Sequence, residues 1–175
     1  MYDFTVLVFP ESFASSVAAT LDILGTAATL AQRQGLAVPR WRVCGPQPGL
    51  ITLGQGMQLL VDELTTDVED NSCWVIPGLG ISDFDALLQR LEEDWVLQAL
   101  PALRAHVNEG KEIAASCSAV FLLHAAGLLD GRKVTTSWWL APWLSSIAPD
   151  CIVDPNVMVL CDPPLDDRWR SLRAN

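Results

Sequence analysis

Cys117 is the residue whose setting most suggests chemistry. The run Ala115-Ser116-Cys117-Ser118-Ala119 joins a short apolar stretch, Glu112 to Ala115, to a mostly apolar helical stretch, Ser118 to Leu128. Only small residues surround the thiol, as a tight strand-to-helix turn requires when it aims one side chain outward. A thiol at a helix N-terminus meets unpaired N–H groups and the positive end of the helix dipole, and both favour the thiolate. Two readings follow: a reactive or oxidisable cysteine, and a buried, inert one of the kind common where strand meets helix.

Nucleophilic hydrolysis also needs a base within hydrogen-bond reach and a group to orient it. His124 follows Cys117 by seven residues on the same expected helix, about 10 Å along its axis and too far for direct proton transfer. His106 falls in a stretch that reads as a solvated helix face. The carboxylates are scattered, and no metal-ligand spacing or phosphate-binding glycine fingerprint appears, so neither a metal nor a cofactor is expected. Trp138, Trp139 and Trp143 could wall a pocket near the thiol, or pack in a core or dimer contact.

The elements that must position Cys117 are legible from their patterning. Phe4 to Phe9 is a continuous β-rich apolar run ending at Pro10, the mark of a strand buried on both faces. Val17, Leu21, Leu24, Ala28 and Ala31 lie at helical spacing after Ser12, and Gly35 can close that helix. Trp41 to Cys44 reads as a strand, Ile51 to Val61 as a weaker extended region, and Cys73 to Ile76 as a buried strand stopping at Pro77-Gly78-Leu79-Gly80. Ser82 with Asp85 forms a capping-box pattern. Leu87 to Val107 is helical in spacing, with Pro101 expected to restart a second helix and Gly110 to end it. Val134 to Thr136 gives one more strand.

Strands that alternate with helices predict an α/β fold with a mostly parallel sheet covered on both faces. Ligands in such sheets sit beyond the carboxyl ends of the strands. That rule selects Glu11, Gly78, Leu79, Gly80, Cys117 and Ser137.

With 175 residues, half of them apolar, the chain can bury one sizeable core, and one domain is expected. Its net charge of -10 repels phosphate backbones and anionic lipid, which argues against nucleic-acid or membrane binding by this polypeptide alone. No basic leader precedes the first apolar run, and no uncharged stretch reaches bilayer length. The five cysteines lack any CxxC pair and read as thiols of a reducing, cytoplasmic compartment.

The stretch from Ala114 to Trp138, with its Gly-Leu-Leu-Asp-Gly segment leading to Thr-Thr, resembles the ThiJ/PfpI superfamily of class I glutamine-amidotransferase-like proteins. Within it, the likeness is to the domain at the N-terminus of AraC-type transcriptional regulators. Phe9-Pro10, Val75 to Gly78 and Val153-Asp154 match as well, so the likeness runs from Phe4 to about Cys161. It implies a flavodoxin-like three-layer sandwich over residues 1–161, with a nucleophile elbow at Cys117 and a small-molecule pocket at Gly78, Leu79, Gly80, Ser118, Ser16, Ser137 and Trp138. It also implies a homodimer.

Catalytic members of that superfamily place an acid where this chain has Ser16, and many relatives place a histidine where it has Ser137. The resemblance therefore implies a non-catalytic ligand-sensing domain that meets DNA only through a further C-terminal domain. The alternative is a stand-alone cysteine-dependent hydrolase, hydratase or glyoxalase-like enzyme. Residues 162–175 depart from the family, which continues with a Thr-Ala-Gly-Ala segment and a long helix. With permitted codons, Leu165 to Asn175 back-translates so that the next frame reads Trp-Thr-Thr-Ala-Gly-Ala-Ala-Tyr-Ala-Gln. A frameshifted or truncated regulator lacking its DNA-binding domain is the expectation.

Overall fold

The structure is a computed structural model that describes residues 2–65, 70–81 and 83–162. The first apolar run forms strand β1, Phe4–Leu7, and burial continues through Val8 and Phe9. Helix α1 follows over Ala14–Gln34 and ends at Gly35, whose φ of 68° is the left-handed closure open to a residue without Cβ. Ser12 does not cap this helix. Its hydroxyl accepts the Phe9 N–H at 3.3 Å, and Phe13 occupies the N-cap position.

Strands β2 (Trp41–Gly45), β3 (Gly49–Thr52) and β4 (Gln58–Glu63) come next. The weak extended region is thus a hairpin, with Leu50 opposite Leu60 and Ile51 opposite Leu59. Strand β5, Cys73–Ile76, matches its expected bounds. Helix α2 spans Phe84–Leu91 and helix α3 spans Asp94–Asn108. Strand β6, Ile113–Ala115, and the short helix α4, Val120–Ala125, flank the cysteine turn.

These strands make a mixed sheet in the order β3-β4-β2-β1-β5-β6, parallel except for the β3–β4 pair. Helices cover both faces, as expected for a flavodoxin-like α/β fold. The sequence stripe of α1 is the protected one: Val17 and Leu24 pack with Val6, Val8 and Leu53. Across the sheet α3 sets Trp95 against Phe9, with ring centroids 5.1 Å apart, and stacks His106 on Trp74 at 4.0 Å. Each fully buried side chain such as Leu7 or Ile76 contributes roughly 1.5–3 kcal/mol relative to exposure. At 21 residues α1 is long and apolar enough to cross a bilayer by length and composition. It carries Asp22 and Arg33, however, and lays Val17 and Leu24 on the sheet as an α/β helix does.

Three boundaries differ from the patterning. Pro101 does not start a helix but lies inside α3, because its position and Leu97, whose carbonyl loses the N–H partner, are both on the exposed side. The break falls at Glu92-Glu93 instead. Ser82 is outside the described residues, and Asp83 is the N-cap of α2, accepting the Ala86 N–H at 2.9 Å. The helix after Cys117 is much shorter than the apolar run, since Ala126 caps it and Gly127 turns with φ 68°.

A buried polar group sits at the amino ends of the central strands. Arg42 reaches the Asp70 carboxylate at 2.5 Å and the Thr5 hydroxyl at 3.0 Å, and Thr5 shares a 2.7 Å hydrogen bond with Ser72. Burial pushes the Asp70 pKa up, but hydrogen bonds from Ser72, the Arg42 charge and the facing Trp74 indole outweigh it and hold the carboxyl below its ordinary range. The Trp74 N–H faces Asp70 without hydrogen-bond geometry.

The chain divides into two compact units, Met1–Leu128 and Leu129–Asn175. In the second, strands β7 (Lys133–Val134) and β8 (Ile152–Val153) pair in parallel as a separate two-stranded sheet. Helix α5, Ala141–Ile147, connects them and buries Leu144. The expected strand at Val134 to Thr136 is therefore shorter, and its partner is β8.

Candidate functional site

Cys117 has φ 54°, a left-handed backbone that a side chain with a Cβ adopts only under constraint. The constraint is local. Ser116 donates its N–H to the Ile76 carbonyl at 3.0 Å, continuing the β5–β6 ladder to the residue before the thiol. Ala119 then donates to the Ser116 carbonyl at 3.0 Å, closing one 3-10 turn over Cys117–Ala119 before α4 begins. The elbow thus exists, but the dipole behind it is that of a six-residue helix reached through that turn. Cys117 is half-buried.

The loop after β5 supports the thiol from below. A Cβ at Gly78 would stand 3.4 Å from the Cys117 Cβ and 3.6 Å from the Phe13 ring, ordinary van der Waals contact, so the loop runs directly against the stem of the thiol. Gly78 donates its N–H to the Ser16 hydroxyl at 3.0 Å and accepts from the Phe13 N–H at 3.0 Å. The fully buried Ser118 donates its hydroxyl to the Leu79 carbonyl at 2.8 Å. Gly80 donates to the Glu11 carbonyl at 2.9 Å, an approach so close that a Cβ at Gly80 would lie 2.1 Å from that oxygen.

Of the residues selected from sequence, Ser16, Gly78, Leu79, Gly80, Cys117 and Ser118 are brought together at the carboxyl ends of β1, β5 and β6. Phe13 was missed. Its only sequence signal is that it follows the first strand and precedes a helix. Glu11 contributes through its backbone, at φ 59°, with its N–H donated to the Thr52 carbonyl at 2.8 Å. Ser137 and Trp138 belong to the second unit. There the Ser137 carbonyl accepts the N–H groups of Leu140 and Ala141 at the start of α5. Trp138 is 78 % exposed, whereas Trp139 and Trp143 meet edge to face with centroids 5.6 Å apart.

His106 is not on a solvated face. It is 4 % exposed, with Nε2 2.9 Å from the Glu112 carbonyl, and burial is the main cause that lowers its pKa. Glu112 precedes β6 and Cys117 follows it, so His106 stands at the opposite end of that strand from the thiol. Among the described residues, no group of three or more His, Cys, Asp or Glu side chains is disposed to hold a metal ion.

This arrangement presents a thiol over a narrow loop. The N–H groups of Gly78 and Gly80, which could line an oxyanion site, already donate to Ser16 and Glu11.

A six-stranded mixed sheet with a left-handed cysteine turn at its carboxyl edge defines a cysteine-elbow α/β protein. The chain belongs to the DJ-1/PfpI family, whose model matches residues 13–161. Its fold is similar to that of a putative transcriptional regulator from Vibrio parahaemolyticus, with a TM-score of 0.69 and 21% identity over 93% of this chain and 81% of that one. Drosophila melanogaster DJ-1beta is similar at a TM-score of 0.68 and 20% identity, covering 93% and 78%. An AraC family transcriptional regulator from Pseudomonas putida matches at a TM-score of 0.66 and 15% identity, covering 91% and 80%. No curated protein matches the sequence.

Proposed function

We propose that this chain is the ligand-sensing domain of an AraC-family transcriptional regulator, in which Cys117 is a pocket residue or oxidisable thiol and not a catalytic nucleophile. The observation that carries the reading is Ser16. Where catalytic relatives place an acid, this chain has a hydroxyl that accepts the Gly78 N–H. A serine so engaged neither takes a proton from the thiol at neutral pH nor supplies charge to a reacting group. The two regulator folds among the similar structures support the same reading.

In this proposal a small molecule rests on the Gly78-Leu79-Gly80 loop beside Cys117. Its binding is signalled to a DNA-binding domain outside the present sequence, because a net charge of -10 leaves this chain no footing on phosphate. The protein then works in the cytoplasm. Sequencing the gene through and beyond the codons for Leu160 to Asn175 tests the regulator assignment. A continuing frame that encodes paired helix-turn-helix segments is the expected result, and the absence of any such frame counts against it. A DJ-1-like cysteine-dependent enzyme is the second reading, favoured by the elbow geometry at Cys117.

A further inference from the structure

The loop Gly78-Leu79-Gly80 meets a single cation. Arg90, in the last turn of α2, donates from Nη2 to the Gly80 carbonyl at 3.5 Å. The other basic side chains of residues 1–128 are placed elsewhere. Arg33 lies in the last turn of α1, and Arg40 immediately precedes β2. Arg42 is paired with Asp70, Arg104 donates to the Ala125 and Ala126 carbonyls at the end of α4, and Lys111 is paired with Glu109 before β6. In a chain of net charge -10, the carboxyl edge of the main sheet therefore has one positive point.

That guanidinium is held in place but not saturated. It lies over the Trp95 ring, 5.9 Å from the centroid, and Trp95 packs in turn on Phe9 just past β1. Its ion-pair partner Glu93 stays 3.7 Å away, beyond hydrogen-bond reach, while the other oxygen of that carboxylate accepts the Trp95 indole N–H. The bond to Gly80 is at the long limit and engages one N–H donor of the guanidinium fork. Arg90 keeps 19 % of its side chain exposed, so solvent reaches a fork that no carboxylate among the described residues hydrogen-bonds.

We propose that Arg90 is the specificity residue of the Cys117 site and that the ligand is a small organic carboxylate, a reading that rests on the sensor assignment and deepens it. The planar fork of a guanidinium matches a carboxylate in two parallel N–H···O bonds, a fit that an ammonium cannot reproduce. Gly78 runs against the stem of the thiol and Gly80 follows two residues on, which sets the guanidinium on the order of 10 Å from the thiol. A ligand of several carbons spans that distance, with its carboxylate on Arg90 and its other end beside Cys117. The acidic chain repels such an anion elsewhere, so the one cation at this edge decides where it lands.

A thiol-directed reagent that carries a carboxylate tests this directly. Maleimidohexanoate and the neutral N-ethylmaleimide are compared on the full chain, and labelling rates are followed by peptide mass spectrometry at Cys117 and, as the reference thiol, at Cys151. Asp130 and Asp162 lie near Cys151, so the anionic reagent should be the slower one there. At Cys117 the ratio of maleimidohexanoate to N-ethylmaleimide rates is expected to exceed that at Cys151 by about tenfold or more. Arg90→Gln should remove this preference without changing N-ethylmaleimide labelling of Cys117. Arg90→Lys should keep only part of it, since the charge remains and the fork does not, and it replaces Arg90→Gln if that variant's melting loses cooperativity. A ratio at Cys117 no greater than at Cys151, or one that survives intact in Arg90→Gln or Arg90→Lys, overturns the proposal. A Cys117 that neither reagent labels also overturns it, because the site then admits no ligand. These rates involve neither DNA nor the gene beyond Asn175, so the proposal can fail while the regulator assignment stands, and the reverse.

Discussion

Replacing Gly80 with alanine separates a backbone requirement from a mere preference for small residues. The added Cβ would stand 2.1 Å from the Glu11 carbonyl oxygen, and backbone lies on both sides of that contact. The two segments must part by more than an ångström, which breaks the 2.9 Å hydrogen bond from the Gly80 N–H. Losing that bond costs about 1 kcal/mol, and forcing the segments apart adds about 1–3 kcal/mol. The melting temperature of a chain this size should fall by about 5–15 °C. Gly25→Ala is the internal control. Gly25 lies inside α1, a Cβ there meets nothing within 4 Å, and the substitution should stabilise by about 0.5–1 kcal/mol. Thermal melts of the two variants by circular dichroism give the comparison. A Gly80→Ala melt within a degree or two of wild type would refute the close approach of Gly80 to Glu11.

Two further outcomes follow from the same packing. His106 is held neutral by burial, so its folded pKa lies below the ordinary value of about 6.5 and the unfolded chain binds its proton more readily. Stability should therefore be full above about pH 6.5 and decline as pH falls from there through the folded pKa. Urea melts at stepped pH should show that decline, and His106→Gln should flatten it. An unchanged slope in the variant would contradict the burial argument. Ser16→Ala removes the acceptor of the Gly78 N–H and should cost about 1–2 kcal/mol in denaturant melts. Its Cys117 should also react with iodoacetamide at a changed rate, because the loop under the thiol loses its anchor. An unaltered rate would mean that Ser16 does not position that loop.

How far the sequence foretold this arrangement depended on whether a local rule met tertiary competition. Phe4 to Phe9 and Cys73 to Ile76 are apolar on both faces because they are central strands, and their patterns needed no context. Gly35 closes α1 for a purely local reason. The turn at Cys117 was legible because small residues flank the thiol, and the full burial of Ser118 and Ala119 is consistent with that choice. Pro101 misled because a proline on an exposed helix side forfeits only a carbonyl that water can satisfy. His106 misled because the partners that make its burial tolerable, the Trp74 ring and the Glu112 carbonyl, come from other elements. The role of Glu11 was hidden for a similar reason: it acts through its backbone, which side-chain chemistry does not announce.

In the reading proposed above, Cys117 belongs to a site that binds without turning over. Its most direct test is to incubate wild type and Cys117→Ala with a panel of small carbonyl, amide and isocyanide compounds, following binding by calorimetry and product by mass spectrometry. Saturable binding that changes in Cys117→Ala, with no product beyond one equivalent per chain, is the expected result. Repeated turnover by the wild type that disappears in Cys117→Ala would contradict it.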